Sequence, residues 1–520
     1  MIAGQGLWAM RPDGSGTTEV YGNEHVYPPV LIHARAVPGR NDLFVATCTM
    51  HHPFAVGPIL LIDTRRDIRT HAPLTNLTPD TDVTYEGAGT FPHGEAFVHL
   101  RHGRWTRDNS GPLFCDPCPL SDKFFLVACN PDKAYDHPTA YGLWLIDTFG
   151  NRVRIYDDPQ FSCWQPVPLR PRPAPPVVAA VDAAADASAG PVPGDVSSQP
   201  RGVGAQGATG SSSGEQGTVV MADVYRGLNG IERGEVKYLR VLEQVPRPWT
   251  ARRFWPDDIT CGQQAAISLG AHIFVTILHG VVPVAEDGSA HFTVPAGRSV
   301  YFQALDENYM ELERMRTFVN LRPGEVRGCI GCHQPRGETP PDHTPVALLR
   351  PAERPQPQPG DATVPRPLYY PTDVQPILDR HCIGCHGGPD TRDTDLVLSG
   401  EPTAFFSRSY EEIMSRKLIA YVQEFIGSDP EAQKGNVAPL GPRMLGSHAS
   451  RLITVLRQGH YNVTLSRAEW VQLVTWVDAN GPFYGSYFGR RNLIYQHLPD
   501  FRPIPTLESA LGTACQPAAP

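Results

Sequence analysis

The sequence has no apolar run long enough to cross a lipid bilayer. A spanning helix needs about 18 or more consecutive apolar residues, whereas the longest runs, such as Ile273–Leu278, have the length of a strand. A basic excess is also missing, since 45 Lys and Arg stand against 54 Asp and Glu, with a formal net charge of -9. Nucleic-acid-binding proteins need a clustered basic face. The composition therefore predicts a soluble globular protein that neither spans a membrane nor binds nucleic acid.

Several catalytic signatures are absent as well. The chain contains no GxGxxG after a strand, no Walker phosphate loop, no GxSxG and no HExxH, so nucleotide-dependent and common hydrolase chemistries have no support. The 11 cysteines are too scattered for a disulfide scaffold. Cys115 and Cys118 form a CxxC without a following His, which is typical either of a disulfide in an oxidising compartment or of a plain turn.

A repeated strand pair is present near the N-terminus. LIDT at 61–64 recurs at 145–148, and LFVATC at 43–48 is matched by FFLVAC at 124–129. The distance along the chain between the two LIDT segments equals two units of about 42 residues, and 42 residues is close to the length of a four-stranded propeller blade. The segment WAMRPDGSG at 8–16 resembles the TolB-type propeller repeat. We interpret residues 1–168 as an N-terminally incomplete β-propeller, with a β-sandwich containing two similar hairpins as the alternative.

Composition divides the chain into successive parts, which together predict a mainly β protein with a small α domain. The predicted parts are propeller blades at 1–168, a Pro/Ala/Gly-rich linker or insertion at 169–217, a β-rich middle domain at 218–340, a Pro-rich linker at 341–370, a helical domain at 371–495 and a tail at 496–520.

Local signals predict two details of these domains. In the middle domain, Glu286-Asp287-Gly288 indicates a hairpin turn, because glycine adopts a positive φ without strain. In the helical domain, Ser466 followed by Glu469 is a capping box. We expect it to start a helix that runs to about Asp478 and ends at Asn480-Gly481.

Two copies of the motif CxxCH carry the chemistry. Both read Cys-Ile-Gly-Cys-His, at Cys329–His333 and Cys382–His386. The motif is the attachment signature of c-type haem: two thiols bond to the vinyl groups, and the adjacent His binds the iron. We therefore expect two covalently bound haem c groups, on Cys329 and Cys332 and on Cys382 and Cys385, with His333 and His386 as proximal ligands. The alternative is a zinc site that draws ligands from both motifs.

Longer segments resemble one family. DGSAHFTVPAGRSVYFQALDENYMELERMRTFVNLRPGEVRGCIGCH at 287–333, YGLWLIDTFGNRVRIYDD at 141–158 and SCWQPVPLRPRP at 162–173 resemble the hydrazine synthase alpha subunit-like family. The resemblance implies a β-propeller, a middle domain with one haem c, and a C-terminal cytochrome c-like domain with a second, bis-histidine haem c. It also aligns Cys163 with a cysteine near the middle haem, although a buried free cysteine in a turn is the alternative.

The resemblance implies a catalytic middle haem, whose iron is bound by a Tyr four residues after the motif's His. The corresponding residue here is Gly337, and no Tyr lies between His333 and Pro367. Hydrazine formation is therefore not predicted, and His333 is expected to be an ordinary proximal ligand. Whether the protein is an enzyme stays open at this point.

The sixth ligand of the second haem is expected in a loop before the last helix. That loop reads RQGHYNV at 457–463, which favours His460, with His448 and then Met444 as alternatives. Ligation by two histidines lowers the reduction potential relative to Met/His and suits electron transfer. In the middle domain, Arg322 and Arg327 precede the first motif and are candidates to pair with haem propionates. His51, His52 and His93 fall in predicted propeller loops, which can line a site.

We thus predict a periplasmic or otherwise extracytoplasmic dihaem c-type redox protein with redox partner proteins, in a hetero-oligomer. Residues 1–8 carry no signal peptide pattern, so we expect the natural start, with a signal and further blades, to lie upstream. Two alternatives remain: a non-catalytic electron carrier with an interaction propeller, and a cytoplasmic zinc-binding propeller protein.

Overall fold

The computed structural model describes most of the chain. The described residues are 6–22, 28, 30–49, 55–68, 70–81, 98–101, 104–107, 112–134, 137–171, 216–246, 267–269, 274–315, 317–332, 339, 342–388, 395–403, 406–421, 441–487 and 504–512. The predicted loop histidines His51, His52 and His93 lie outside them, as does His333 of the first motif.

The N-terminal part is built from small antiparallel sheets. A hairpin pairs β1 (Leu7–Ala9) with β2 (Thr18–Tyr21), and a further pair joins β7 (Val98–Arg101) to β8 (Arg104–Arg107). Between and after them lie two four-stranded sheets with strands in chain order, namely β3 (Val30–Ala36), β4 (Leu43–Thr49), β5 (Ile59–Asp63) and β6 (Leu74–Asn76), and then β9 (Leu113–Pro119), β10 (Phe124–Asn130), β11 (Gly142–Asp147) and β12 (Arg152–Tyr156).

The repeated sequence occupies the same place in both four-stranded sheets. Leu43 of β4 lies opposite Asp63 of β5, and Phe124 of β10 lies opposite Asp147 of β11. Each aspartate then caps the following turn, because its Oδ1 accepts a hydrogen bond from the backbone N–H two residues later. The repeat therefore marks two copies of one supersecondary unit. Closure of such units into a propeller stays a prediction.

The middle part contains two sheets that share a core. The first sheet has β16 (Ala290–Pro295), β13 (Gln216–Met221) and β19 (Val326–Cys329), and the second has β18 (Glu311–Arg314), β17 (Val300–Leu305), β14 (Tyr238–Val245), β15 (Val275–Pro283) and β20 (Arg366–Pro367). Phe292 of the first sheet meets Phe302 of the second edge to face, with ring centroids 5.2 Å apart. This apolar contact ties the sheets together.

The predicted hairpin at Gly288 is wrong. Gly288 does adopt a positive φ of 87°, but β15 and β16 on either side of it belong to different sheets. The burial pattern of the two strands explains why they join different sheets. Strand β15 is apolar and buried on both faces, so it lies inside the larger sheet, whereas β16 alternates buried and half-buried residues and pairs with β13. The turn at Gly288 therefore connects a strand of the five-stranded sheet to a strand of the three-stranded sheet.

The proline-rich segment after the first motif is held against the middle sheets. A 3-10 helix at Val346–Leu349 opens its described part. Glu353 then exchanges backbone hydrogen bonds with β16, through His291 O and Thr293 N–H, and Gln356 does so with Val281 of β15. The segment therefore follows the β domain closely before it reaches the helices.

The C-terminal part is helical and packs against the five-stranded sheet. Its helices are α1 (Tyr370–Asp373), α2 (Gln375–His381), α3 (Ile383–His386), α4 (Arg408–Ser415), α5 (Gly446–Ala449), α6 (Arg451–Gln458), α7 (Arg467–Asp478) and α8 (Leu507–Leu511). Val275 and Ile277 of β15 join Tyr370 and Trp476 of the helices in one buried cluster. The helices and the sheet thus form a continuous core.

Helix α7 begins as its sequence predicts. The Ser466 side chain accepts a hydrogen bond from Glu469 N–H, and Glu469 Oε2 accepts one from Ser466 N–H at 2.8 Å. The helix ends at Asp478, and Asn480 and Gly481 follow with positive φ values. The predicted fold class, mainly β with a small α domain, is confirmed. Within the described ranges no helix is long and apolar enough to span a membrane.

Candidate functional site

The second CxxCH motif lies on a short helical turn that faces a cavity. Helix α2 ends at His381, Cys382 links it to α3, and Cys385 and His386 close α3. The hydrogen bonds from Cys385 N–H and His386 N–H to Cys382 O fold the motif tightly. Both cysteine side chains and His386 consequently line the same cavity of about 390 Å³.

One hydrogen bond defines the tautomer of His386. Its Nδ1 lies 3.2 Å from Leu396 O, and because a carbonyl oxygen can only accept, Nδ1 carries the proton. The second nitrogen, Nε2, is then the basic one. Metal-binding histidines are held in this way by a backbone carbonyl, which fixes the ring and raises its basicity. His386 is therefore prepared as a metal ligand.

His460 forms part of the opposite wall. Helix α6 ends at Gln458, and Gly459, with φ at 88°, turns the chain so that His460 lines the cavity. The ring centroids of His386 and His460 are 6.2 Å apart and their planes differ by 20°. Two imidazole nitrogens at about 2 Å from one metal ion require ring centres about 6 Å apart. The separation of these two rings thus suits a single ion between them.

The remaining lining of this cavity is mainly apolar, with two cationic side chains. The aliphatic members are Leu396, Leu398, Leu418, Leu452, Val455, Leu456 and Val463, and the cationic members are Arg416 and Arg451. Cofactor pockets of about 300–1,000 Å³ typically combine such apolar walls with a few charged groups. Arg416 already pairs with Glu412 Oε2 at 2.6 Å and with Asp395 O. The two thiols, the two imidazoles and the apolar walls fit a haem c.

The thiol of Cys382 is protonated at neutral pH. Burial, followed by the neighbouring Cys385, raises the pKa of Cys382 to about 11. A buried protonated thiol is less reactive toward oxidants and metal ions than a thiolate. This state suits a cysteine that is held in place until it reacts with the vinyl group of a cofactor.

The alternative distal ligands lie elsewhere. His448, on α5, has its Nε2 3.3 Å from Asp306 Oδ2 and is not among the residues that line the cavity. Met444 is exposed, and its sulfur accepts a hydrogen bond from Gly441 N–H at 3.2 Å. His381 does line the cavity, but its Nε2 contacts Glu469 Oε1 at 3.0 Å. Of the predicted candidates, the structure brings His460 to face His386.

The first CxxCH motif has very different surroundings. Cys329 ends β19, which runs parallel to β13 and places Cys329 opposite Met221. Cys329 and Cys332 border a cavity of only about 60 Å³, whose other walls include Met221, Phe302 and Met315. Burial raises the pKa of both thiols. Cofactor pockets are several times larger, so the described residues around this motif do not by themselves form a haem-sized cavity.

The two arginines before the first motif contact the N-terminal hairpin. Arg322 Nη1 donates to Asp13 O at 2.6 Å, and Arg327 Nη1 donates to Thr17 O at 2.9 Å. Arg327 also pairs with Glu325 at 2.8 Å. These side chains attach the β1–β2 turn to the middle domain, and in this arrangement they do not point to a cofactor role.

The other singled-out cysteines lie in the N-terminal sheets or just after them. Cys115 and Cys118 of β9 are buried free thiols, and Cys163 is a half-buried free thiol beyond β12. Within the described residues no group of three or more His, Cys, Asp or Glu is arranged to hold a metal ion. The zinc alternative gains no support from this part of the chain.

A buried ionic network joins the five-stranded sheet to the end of α7, and sequence reasoning missed it. Arg240 of β14 and Asp478 at the end of α7 are fully buried, with Arg240 Nη1 3.3 Å from Asp478 Oδ2. Gln303 accepts from Arg240 Nη1 at 2.9 Å and donates to Glu311 Oε2 at 2.6 Å. Arg314, which borders the small cavity, pairs with Glu311. Burial raises the pKa of Glu311 and of Asp478, and the guanidinium groups of Arg314 and Arg240 beside them oppose that rise.

Comparisons with known proteins agree with this architecture. The family model described as hydrazine synthase alpha subunit middle domain matches residues 234–334. The solved structure of Kuenenia stuttgartiensis hydrazine synthase has the same fold, with 15% identity and a TM-score of 0.55, over 93% of this chain and 67% of that chain. No curated protein matches the sequence. These findings confirm the predicted resemblance to the hydrazine synthase alpha subunit, in sequence over residues 234–334 and in fold along most of the chain.

Proposed function

We propose that this protein is an extracytoplasmic c-type haem redox protein, whose C-terminal domain holds an electron-transfer haem between His386 and His460. The observation that carries the proposal is the pair of near-parallel imidazole rings 6.2 Å apart, in a cavity that also contains Cys382 and Cys385. When bound, haem c supplies a one-electron redox couple.

The protein residues have separate roles in this proposal. Cys382 and Cys385 would form the thioether bonds, and His386 would bind the iron through Nε2 while its Nδ1–H is held by Leu396 O. His460 would hold the same group as a second protein ligand. Two protein ligands would leave no place on the iron for a substrate, so this site favours electron transfer over catalysis. The aliphatic wall limits access of water and thereby helps to set the potential.

The first motif extends the proposal to a second haem c on Cys329 and Cys332, with His333 as proximal ligand. This extension rests on the motif alone, because the described residues there do not form a cofactor-sized space. We derive no reaction at that site. We also propose that the protein works outside the cytoplasm, where c-type haem is attached, and that it exchanges electrons with partner proteins in a hetero-oligomer.

The test is a pyridine haemochrome assay on the full chain, matured in an exporting host with an added signal sequence. We expect two thioether-bound haems per chain, and one after replacement of Cys382 and Cys385 by serine. In His460→Ala we expect the second haem to stay bound but to open one axial position, so that the ferrous protein binds carbon monoxide at that haem.

His448→Ala is the matched control, because His448 lies on the same domain but beside Asp306. Its absorption and electron paramagnetic resonance spectra should equal those of the wild type. If His460→Ala leaves the spectra unchanged and His448→Ala alters them, the ligand assignment is wrong. If no haem is covalently bound and zinc is present instead, the proposed function is wrong.

A further inference from the structure

A second cavity lies directly beside the cavity of the second motif. It has a volume of about 560 Å³ and is bordered by the end of helix α6, the loop that follows it and the start of helix α7. We call it the α6–α7 groove. Leu456 and Val463 line both this groove and the cavity of the second motif. These two aliphatic side chains therefore stand between the groove and the proposed haem site.

Apolar side chains form the floor of the α6–α7 groove, and cations stand at its rim. Met310 is buried, and Trp470 is half-buried, with its Nε1–H donating to Asn308 O at 3.2 Å. Arg457 and Arg467 are exposed. Tryptophan and arginine are among the side chains that most often carry the binding energy of protein interfaces. This composition is therefore typical of a surface that binds another protein.

The charge of the groove is opposite in sign to that of the whole chain. The chain has a formal net charge of -9, but residues 432–468 contain no Asp or Glu, whereas they include Lys434, Arg443, Arg451, Arg457 and Arg467. No carboxylate is among the described residues that line the groove. A local positive surface on an acidic protein attracts a negatively charged partner and sets its orientation.

Contacts within the chain leave this positive charge available. Arg457 forms no ion pair with any residue that the structure describes. Arg467 donates to the backbone O of Glu307 at 3.2 Å, which holds its guanidinium group at the rim without a carboxylate partner. Of the two carboxylates in the adjoining turn, Asp306 is paired with His448 and Glu307 is exposed. One exposed carboxylate does not cancel two guanidinium groups.

We propose that the α6–α7 groove is the docking site of an acidic electron-transfer protein. This inference rests on the proposed function, because it takes the redox group to be a haem in the neighbouring cavity. Carboxylates of the partner pair with Arg457 and Arg467, and its apolar side chains cover Trp470. When a reduced partner docks, one electron passes from its cofactor to the ferric iron across Leu456 and Val463. The partner is thereby oxidised by one electron as the iron is reduced.

The experiment uses the full chain, matured in an exporting host, and a small acidic flavodoxin as the probe. Calorimetry measures binding, and stopped-flow absorption measures reduction of the haem by the flavodoxin hydroquinone. Both are followed from about 0.01 to 0.15 M ionic strength, over which the screening length falls from about 30 to about 8 Å. We expect affinity and rate constant to fall as salt rises. Two acidic proteins governed by net charge would show the opposite dependence.

Substitutions of Arg457 locate the effect. Arg457→Glu should raise the dissociation constant about tenfold or more, Arg457→Gln should raise it less, and Arg457→Lys should keep most of the affinity. Arg35→Glu is the matched control, because Arg35 is exposed on β3 and its substitution changes the net charge equally. It should leave binding unchanged. Circular dichroism melting curves should be alike for all variants, which separates loss of docking from loss of fold.

Three results would overturn the proposal. They are an affinity or a rate constant that rises with salt, equal effects of Arg457→Glu and Arg35→Glu, and absence of flavodoxin binding at low salt. Analytical ultracentrifugation of the chain alone covers the remaining occupant: a wild type that dimerises and an Arg457→Glu variant that does not would assign the groove to a second copy instead. Salt-sensitive binding at Arg457 in a chain without covalent haem would support the acidic docking site and refute the proposed function alone.

Discussion

The two CxxCH motifs are identical in sequence, but their described residues lie in different secondary structure and beside cavities of different size. The first ends a parallel strand and borders a cavity of about 60 Å³, while the second lies between short helices and opens on about 390 Å³. Only the second faces another histidine among the described residues. Five identical residues therefore carry the same prediction of haem attachment, whereas the surrounding elements decide the size of the cavity and the side chains that face the motif.

The largest expected effect comes from breaking the ionic network that joins the five-stranded sheet beside the first motif to helix α7. Arg240→Met leaves Asp478 buried without its guanidinium partner, which typically costs about 3–5 kcal/mol in the free energy of unfolding. Asp478 also accepts hydrogen bonds from the backbone N–H groups of Glu311 and Ser447, so both the sheet and α5 should loosen. Urea unfolding of the full chain measures this loss.

The control for this prediction is Arg154→Met, which removes an ion pair with Asp157 whose side chains are 61% and 42% exposed. Exposed pairs contribute at most about 1 kcal/mol. Equal losses in the two variants would show that the buried network does not hold the domains together.

A smaller effect is expected from substitution of the glycine at the third position of each motif, Gly331 in the first and Gly384 in the second. A Cβ at Gly331 would lie 2.5 Å from both Cβ and O of Arg226, whereas a Cβ at Gly384 would meet nothing within 4 Å. Gly331→Ala should therefore lower the free energy of unfolding by about 1–3 kcal/mol through overpacking. Gly384→Ala, in helix α3, should be neutral or stabilising by less than about 1 kcal/mol.

Urea denaturation of both variants, side by side, tests this comparison directly. The same Gly→Ala substitution should lower the free energy of unfolding in the first motif and leave it unchanged or raise it slightly in the second. Each variant therefore serves as the control for the other. If Gly384→Ala proved as damaging as Gly331→Ala, the second motif would be packed as tightly as the first.

The smallest expected effect is a loss of folding stability at acid pH, caused by Glu469 next to the second motif. Burial raises the pKa of Glu469, but hydrogen bonds from Ser466 and contacts with His381 and Arg380 outweigh it and lower the pKa to about 2. A carboxyl whose pKa is lower in the folded than in the unfolded protein stabilises the fold above the unfolded value of 4.5. That contribution disappears as the pH falls from about 4.5 toward 2.

Unfolding curves at pH 6 and pH 3 for wild type and Glu469→Gln measure this contribution. The wild type should lose more stability than the variant over that interval, because glutamine does not titrate. Ser466→Ala is a useful companion, since it removes the cap but keeps the carboxyl contacts with His381 and Arg380. Parallel losses in wild type and Glu469→Gln would contradict the assignment.

Short-range signals in the sequence were reliable guides to structure. The capping box at Ser466 starts α7, and the helix ends at Asp478 as its sequence predicts. The LIDT repeat marks the same strand in two sheets. In each case the signal and the structure involve the same few neighbouring residues, so the rest of the chain has little influence.

Long-range pairings could not be predicted in the same way. The turn at Gly288 looks like a hairpin, because nothing local reveals that β15 and β16 join different sheets. Similarly, Arg240 lies in an apolar strand, and its partner Asp478 is 238 residues away in the sequence. The sequence around one residue does not indicate the other as its partner, because a buried ion pair forms only when two distant elements pack together.

The sequence by itself determined the two motifs on which the proposed haem attachment rests, because two thiols and an adjacent imidazole at fixed spacing need only one turn of chain. It also limited the proposed distal ligand to a few side chains of the helical domain. Only the tertiary structure brought His460, and not His448, to face His386, and only it gave the two motifs cavities of such different size. A cavity is a property of the elements that enclose it, and those elements come from distant parts of the chain.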